Sequence, residues 1–567
     1  MNSPGSLRPS QMITTFGPGS LVDYKNDTVM IMGLQDWDDN PKYFNEIAEP
    51  RLARRLNVQS FRQPRTRKGF GGVPCISFPK YRECPECHSL RNDFKKDNIG
   101  YYCDCKKRIQ TFPARFIMAC EDGHIDDFPW VGWCHQKGLC SKPSLKIYNQ
   151  GQSSSLNDII VKCKSCPAEE HLGGALKRDA LIHIVSMCNG NSPWKNNKQN
   201  CKKNPRALQR GASNVYFSSI ISALSIPPWS DDIQILLNSK WEDIKVVIVQ
   251  HGIERLHGAL FMSFPKSTDN ELSQIYAAIQ IRYEKEQMKE NIRLEEWNAF
   301  QEINSKSKNF HIEEEEAHRT ISKFISRVVL VHRLREVRAL RGFTRIDYPD
   351  PHDESNISFS YLSGKQVDWL PAVEVLGEGI FIQLNPDTLA LWETNNNVIN
   401  RYQEILGKYQ DWRVKKGWVE DSLFSNRFML LHSLSHALIR ELSLSCGYSS
   451  NSIREKIYSG PSMCGILLYT ASTDSDGSLG GIIQQGRNEQ FSMLLKQAIL
   501  RSVICSSDPL CSEIDNVVES QLNLSACHAC MLIAETSCEW SNRLLDRLSL
   551  CKTAENETGY FDFFSDC

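Results

Sequence analysis

Apolar and polar positions follow several rhythms along this chain, and each predicts a different element. Thr28 to Leu34 (TVMIMGL) is a short apolar run and reads as a strand. From about 211 to 345 the spacing is helical. Glu284 to Glu302 is charged with apolar residues at helical intervals. Thr320 to Leu340 predicts a helix with Ile321, Phe324, Ile325, Val328, Val329, Val331, Leu334 and Val337 on one face. Arg327, Arg333, Arg335, Arg338 and Arg341 fall opposite, as a solvated face would. Residues 346–420 read as mixed strand and loop, where the alternation from Val373 to Leu384 predicts a hairpin turning on Gly377-Glu378-Gly379. Further on, FMLLHSLSHALIRELSL predicts a helix, GILLYT (465–470) a buried strand and ASTDSDGSLGG a loop, before another helix.

These rhythms divide the chain into an N-terminal segment (1–75), a turn-rich stretch (76–210), a mainly helical region (211–345), a mixed region (346–420) and a C-terminal domain (421–567). A length of 567 residues suits several folded units. No apolar run is long enough to span a bilayer, and the first residues lack the order of a signal peptide. The expected location is the cytoplasm, away from any membrane.

Cysteine changes the picture. Of 21 cysteines, 12 lie between Cys75 and Cys201 and seven between Cys505 and Cys567. In a reducing compartment such clusters read as metal ligands, and zinc takes four soft or borderline ligands in close pairs. Cys84 and Cys87, with Cys103 and Cys105, supply two such pairs. A redox-active Cys84/Cys87 pair is the rival reading, but it would not call for the second pair. Cys163 and Cys166, with Cys188 and Cys201, form a second expected set. Cys120, His124, Cys134, His135 and Cys140 read either as a further mixed site or as buried thiols beside polar histidines. The third set is drawn from Cys505, Cys511, Cys527, Cys530 and Cys538. Cys527, Cys530 and Cys538 are the preferred ligands, and Cys511 is taken as the fourth, with Cys505 its alternative.

With 66 basic and 67 acidic side chains, the net charge of −1 gives no global attraction for nucleic acid, so any such affinity must be local. Residues 51–70 carry Arg51, Arg54, Arg55, Arg62, Arg65, Arg67 and Lys68 without an acid. Residues 195–210 repeat the pattern and include Lys202, Lys203 and Arg206. Both stretches are candidate phosphate contacts, and both read equally as solvated basic segments.

Catalytic signatures are lacking. There is no nucleotide phosphate loop. His432 and His436 are four apart on a helix, but Ser433 stands where a zinc protease needs Glu, so helix packing is the simpler reading. His135-x-Lys137 fails as a phospholipase-D-type motif, because Lys142 replaces the required Asp. Asp474 and Asp476 lie in the Ser/Asp/Gly loop, which reads either as a cation- or phosphate-holding loop or as a simple turn, and Glu374 and Glu378 have no supporting Lys or His at defined spacing.

The C-terminal run HSLSHALIRELSLSCGY, then GILLYT, DSDGSLGG and ACHACMLIAETSCEWSNRLLDR, resembles the zinc-binding domain at the end of MrfA-type DNA repair helicases. The matching positions include Cys527, Cys530, Cys538, Asn542 and Leu545-Asp546; one departure is Ala526-Cys527-His528, where the helicases have Gly-Cys-Pro. RPSQMITTFGPGSLVD, CEDGHIDDFPW, QRGASNVYFSSIISALSIPPW, RLREVRALRGFTRI and WLPAVEVLGEGIF extend the likeness, which is then to DrmB-type subunits of DISARM anti-phage systems. That resemblance implies a non-enzymatic, zinc-binding subunit that engages DNA with a separate helicase/ATPase. The expected fold is multidomain α+β, with zinc-stabilised N-terminal modules, a helical middle region and a C-terminal α/β zinc-binding domain. A metal-dependent nuclease and an assembly scaffold without DNA affinity are the rival functions.

Overall fold

Ile325–Thr344 and Trp369–Leu384 are both single extended strands, the two longest among the described residues. The first was expected as a helix. Its Val328-Val329-Leu330-Val331 segment is rich in β-branched valine and buried without alternation, which is how a strand covered on both faces reads. Such a run fills every helical position too, so the helical spacing discriminated nothing. Arg338 and Arg341, placed by that reading on a solvated face, are buried. Arg341 donates from Nε to the Ser219 hydroxyl at 2.9 Å. The second run was expected to turn at Gly377-Glu378-Gly379, yet it passes straight through. A Cβ on Gly379 would lie 2.4 Å from the Leu468 carbonyl oxygen of the paired strand, so this glycine permits close strand approach rather than a turn.

The computed structural model describes residues 7–24, 27–38, 40, 44–64, 73–97, 100–106, 108–138, 140–151, 155–238, 240–256, 260, 263–265, 267–287, 291–349, 359–416, 425–470, 481–512, 522–553 and 556–563. Helix and strand are mixed throughout, and the chain divides into two units.

The first unit comprises Met1–Ile47, Ala53–Ile221 and Arg338–Val373. It is built mainly from small antiparallel sheets. The largest orders Phe112–Pro113, Arg82–Glu83, Ser89–Arg91, Leu145–Asn149, Ile159–Cys163 and Glu169–His171 side by side. Another sets Phe116–Ala119 between Ile125–Asp127 and Arg206–Gln209, with Ala119 opposite Arg206. One core gathers Phe116, Phe128, Trp130 and Trp133; another gathers Trp37, Trp194, Phe343 and Trp369. Arg345, fully enclosed, donates to the Gly123 and Gly19 carbonyls at 2.8 and 2.7 Å and so fixes the turn at Gly123. There φ is +80° and a Cβ would collide with the Ser360 hydroxyl, so only glycine fits.

The second unit comprises Ala48–Leu52, Ser222–Val337 and Glu374–Cys567. Helices Asp269–Gln287 and Ile292–Gln301 cover the charged stretch expected to be helical. Pro386–Glu393 and Asn396–Lys416 are helices as well, where strand and loop were expected; Asn385 caps the first by accepting from the amides of Asp387 and Thr388. At the centre, helix Asn426–Cys446 lies on the antiparallel pair Ile453–Gly460 and Met463–Thr470 and against helix Asn488–Val503. Met429 to Leu434 along it are completely enclosed. Among the described residues no helix is long and apolar enough to cross a membrane.

Candidate metal centres

Among the described residues, three groups of four ligand atoms form in the first unit. Cys84 and Cys87 flank the turn between Arg82–Glu83 and Ser89–Arg91; Cys103 ends strand Tyr101–Cys103, and Cys105 follows it. Their sulfurs approach in the pairs Cys84–Cys105 and Cys87–Cys103, each at 3.7 Å. These are the four residues that the spacing grouped.

The other two groups correct the expected partition. Cys163 and Cys166 do not join Cys188 and Cys201. They meet His135 and Cys140, with His135 Nε2 3.5 Å from Cys140 and 3.3 Å from Cys166, and Cys140 3.8 Å from Cys163. Cys188 and Cys201 meet Cys120 and His124 instead, where Cys120 lies 3.4 Å from His124 Nδ1 and 3.9 Å from Cys201. The sheet register decides this: strand Phe116–Ala119 brings Cys120 to the strand that follows Cys201, while strand Ile159–Cys163 delivers Cys163 elsewhere. Cys134 belongs to neither group. It is a core thiol facing the Val161 and Ala168 carbonyls at 3.5 Å, and burial pushes its pKa up to about 11.

In the second unit Cys505, Cys511, Cys527 and Cys530 converge, with Cys505–Cys527 at 3.5 Å and Cys511–Cys530 and Cys527–Cys530 at 3.7 Å. Both upstream cysteines are therefore used, and Cys538 is not. Cys538 sits with His432, His436 and Glu455 in the protein interior. His432 and His436, read from sequence as packing residues, thus face other polar groups. Their spacing of four was the visible signal; Glu455 had none.

The four tetrads with three or four cysteines suit zinc. A tetrahedron with Zn–S bonds of about 2.3 Å has sulfur–sulfur edges of roughly 3.8 Å, and the contacts above cluster at that value. They are far longer than a disulfide bond of about 2.05 Å. In each tetrad one thiol is already acidic. Burial opposes this at Cys87, Cys163 and Cys527, but hydrogen bonds from Ser89, from the amides of Ser144 and Ser165, and from Cys505 prevail and bring each to about 6. At Cys188 the bond from Cys120 prevails over burial and brings it to about 4. Burial and neighbouring thiols push Cys105 up to about 12 and Cys511 to about 11. A bound dication would draw off the protons that remain on such crowded thiols. His135 is pre-oriented too, since its Nδ1 lies 2.8 Å from the Val131 carbonyl and Nε2 is left facing the sulfurs.

The remaining cysteines have ordinary settings. Cys464 and Cys551 are buried, and Cys75 is exposed. The Cys446 side chain and Cys567 lie outside the described residues, as do Asp474 and Asp476. Glu374 is ion-paired to Arg335 at 2.8 Å, and Glu378 accepts from the Ile482 amide at 3.3 Å.

The basic candidates scatter. Arg51 is buried, bonded to Glu49 and Glu295 at 3.2 Å and to the Leu224 carbonyl, so it is no phosphate contact. Arg62 lies over the Trp369 ring at 4.7 Å, and Arg206 pairs with Glu121 at 3.1 Å. Arg54, Arg55, Lys202 and Lys203 are exposed, and Arg65, Arg67 and Lys68 lie outside the described residues. A basic face that sequence reading missed surrounds the Cys163–Cys166 turn. Lys146, Tyr148, Lys162 and Lys164 line a shallow depression of about 530 Å³ there. Antiparallel pairing sets Lys146 opposite Lys162, which one-dimensional spacing does not reveal.

Residues 434–531 match the MrfA Zn-binding domain, and residues 8–217 match a domain of unknown function, DUF8724. The DISARM protein DrmB of Bacillus paralicheniformis is 34% identical over 583 aligned residues, covering 96% of this chain and 99% of that protein. The chain belongs to the DrmB family. In DrmB terms, the three N-terminal tetrads all fall within the DUF8724 region, and the Cys505–Cys530 tetrad falls within the MrfA-type zinc-binding domain. DrmB membership therefore joins a named zinc-binding domain to Cys/His clusters fit for a metal ion in both units.

Proposed function

We propose that this chain is a non-catalytic cytoplasmic subunit of a DISARM-type anti-phage defence assembly, which holds DNA for a separate helicase/ATPase. The likeness to a DISARM DrmB protein along nearly the whole chain carries this reading. The four tetrads with three or four cysteines act as structural zinc sites, closed by four protein ligands each. Zinc here organises short strands into modules whose surfaces do the binding.

The surface we assign to DNA is the one around Lys146, Lys162 and Lys164. Lys162 and Lys164 are exposed, and Tyr148 beside them offers a ring for stacking. Lys162 also pairs with Glu169 at 2.9 Å, and that exposed contact is weak enough to yield to a phosphate. Such contacts position a backbone without reading sequence, and their affinity falls with salt.

The test is binding of the purified chain to labelled duplex and single-stranded DNA across salt concentrations, beside Lys146→Glu and Lys164→Glu. Affinity should fall steeply with salt, and each substitution should reduce the log–log slope by roughly one. Salt-independent binding would overturn the phosphate grip, and no binding at all would favour a scaffold. Co-purification with an ATPase whose DNA-stimulated turnover changes on association tests the partnership. Cleavage of DNA in Mg²⁺ or Mn²⁺, abolished by Asp474→Ala, would instead favour the nuclease.

A further inference from the structure

We infer that His432, His436, Glu455 and Cys538 form a fifth metal site, a closed structural zinc centre of mixed ligands that locks the core of the second unit. The ligand atoms come from three places: helix Asn426–Cys446, strand Ile453–Gly460 and the segment carrying Cys538. His432 Nε2 lies 3.2 Å from the Cys538 sulfur and 3.3 Å from Glu455 Oε1, and His436 Nε2 lies 3.6 Å from the same carboxylate oxygen. Around a tetrahedral zinc with bonds of about 2.0–2.3 Å, edges between nitrogen, oxygen and sulfur ligands come to roughly 3.3–3.6 Å.

Three observations favour a cation over a hydrogen-bonded cluster. His436 Nδ1 is 2.9 Å from the Met531 carbonyl and donates to it, which leaves the lone pair on Nε2. That Nε2 is buried, has no hydrogen-bond partner and faces the Glu455 carboxylate. Two lone pairs facing each other in a dry core repel unless a positive charge stands between them, and 3.6 Å is too long for a proton to bridge well.

The second observation is a repeated turn. The amide two residues on donates to the sulfur at Cys163 (3.4 Å), Cys188 (3.3 Å), Cys201 (3.5 Å) and Cys505 (3.4 Å), all members of the tetrads. Cys538 has the same turn, from the Trp540 amide at 3.3 Å, and a second donor in the Asn542 amide at 3.2 Å. These amides are placed to support a sulfur that bears negative charge when a cation is bound.

Charge is the third. One thiolate and one carboxylate neutralise a dication, so the loaded site carries no net charge into the core. Glu455 is held in place for this role by the Ser435 hydroxyl and by the Glu539 amide at 3.1 Å. All four side chains are enclosed and no position is left for substrate, so the site is structural.

Metal analysis of the full-length chain, purified without chelator, tests the site. Glu455→Gln and Cys538→Ser should each lower bound zinc by about one ion per chain while the cysteine tetrads keep theirs. An unchanged zinc content in either folded variant overturns the inference. Should neither variant fold, diffraction from the wild-type chain at the zinc absorption edge decides. An anomalous peak among His432 Nε2, His436 Nε2, Glu455 Oε1 and Cys538 Sγ is expected, and its absence with peaks present at the other tetrads overturns the site. Neither readout involves DNA, so failure of the proposed function leaves this test untouched.

Discussion

His135 and Cys134 are neighbours in sequence with opposite fates. His135 follows the short helix Trp130–Cys134, and its Nε2 points at Cys140 and Cys166. Cys134 points back into the core of Phe128 and Trp133. Cys140→Ser should therefore lower zinc per chain by about one, whereas Cys134→Ser should leave zinc unchanged and cost about 1 kcal/mol of stability. Equal zinc loss in the two variants, measured by elemental analysis, would refute the assignment. Asp127 gives a pH-dependent counterpart. Burial pushes its pKa up to about 6, although the Tyr81 and Lys80 amides donate to it at 2.9 and 3.3 Å. An acid raised in the folded state binds its proton more tightly there than in the unfolded chain, so its stabilising share is full below the unfolded value near 4 and is lost as pH rises through 6. Asp127→Asn has no such loss. Its melting temperature relative to wild type should rise between pH 5 and 7; a flat difference would show that Asp127 is not the titrating group.

At the scale of elements, legibility depended on whether periodicity was ambiguous. Helix Asn426–Cys446 was readable because its apolar run is too long for a typical strand and begins at a Ser cap, where Ser425 accepts from the Phe428 amide. Ile325–Thr344 was not, because the contiguous buried run Val328–Val331 satisfies strand and helix templates alike and only its β-branched valines favoured a strand. Gly377 and Gly379 mimicked a turn for a related reason. Glycine marks both bends and close approaches, and only the partner strand shows which applies. Gly379→Ala should accordingly strain the pairing of Gly379 with Tyr469 and destabilise by about 1–3 kcal/mol, read from urea midpoints. A neutral effect would mean that the strands separate there at little cost. The ligand sets were limited in the same way. Local pairs such as Cys84/Cys87 and Cys527/Cys530 are written in sequence, but which pairs meet is set by sheet register. The Cys120/His124 pair reaches past Cys140, Cys163 and Cys166 to Cys188 and Cys201.

For the whole molecule, the two units differ in how much each depends on metal. The first carries three tetrads among short strands, and several of those strands are only two or three residues long. Two-residue strands such as Arg82–Glu83 and Ile109–Gln110 have little ladder of their own, and the Cys84, Phe94 and Cys103 core beside them is small. Metal binding supplies folding free energy directly in modules of this kind. The second unit has one cysteine tetrad on a far larger core, running from Leu224 to Phe561 and centred on enclosed helix Asn426–Cys446. Stripping zinc with a strong chelator should thus act unevenly. Amide hydrogen exchange should rise across 84–201 within the first phase, while the amides of Asn426–Cys446 and Met463–Thr470 keep most of their protection. The exposed Cys105 should lose its metal first, and any ion held by buried His432 and Cys538 should leave last. Simultaneous loss of protection in both units would show that metal and core are coupled along the whole chain. An unchanged first unit after complete zinc removal would show that its tetrads do not hold the fold.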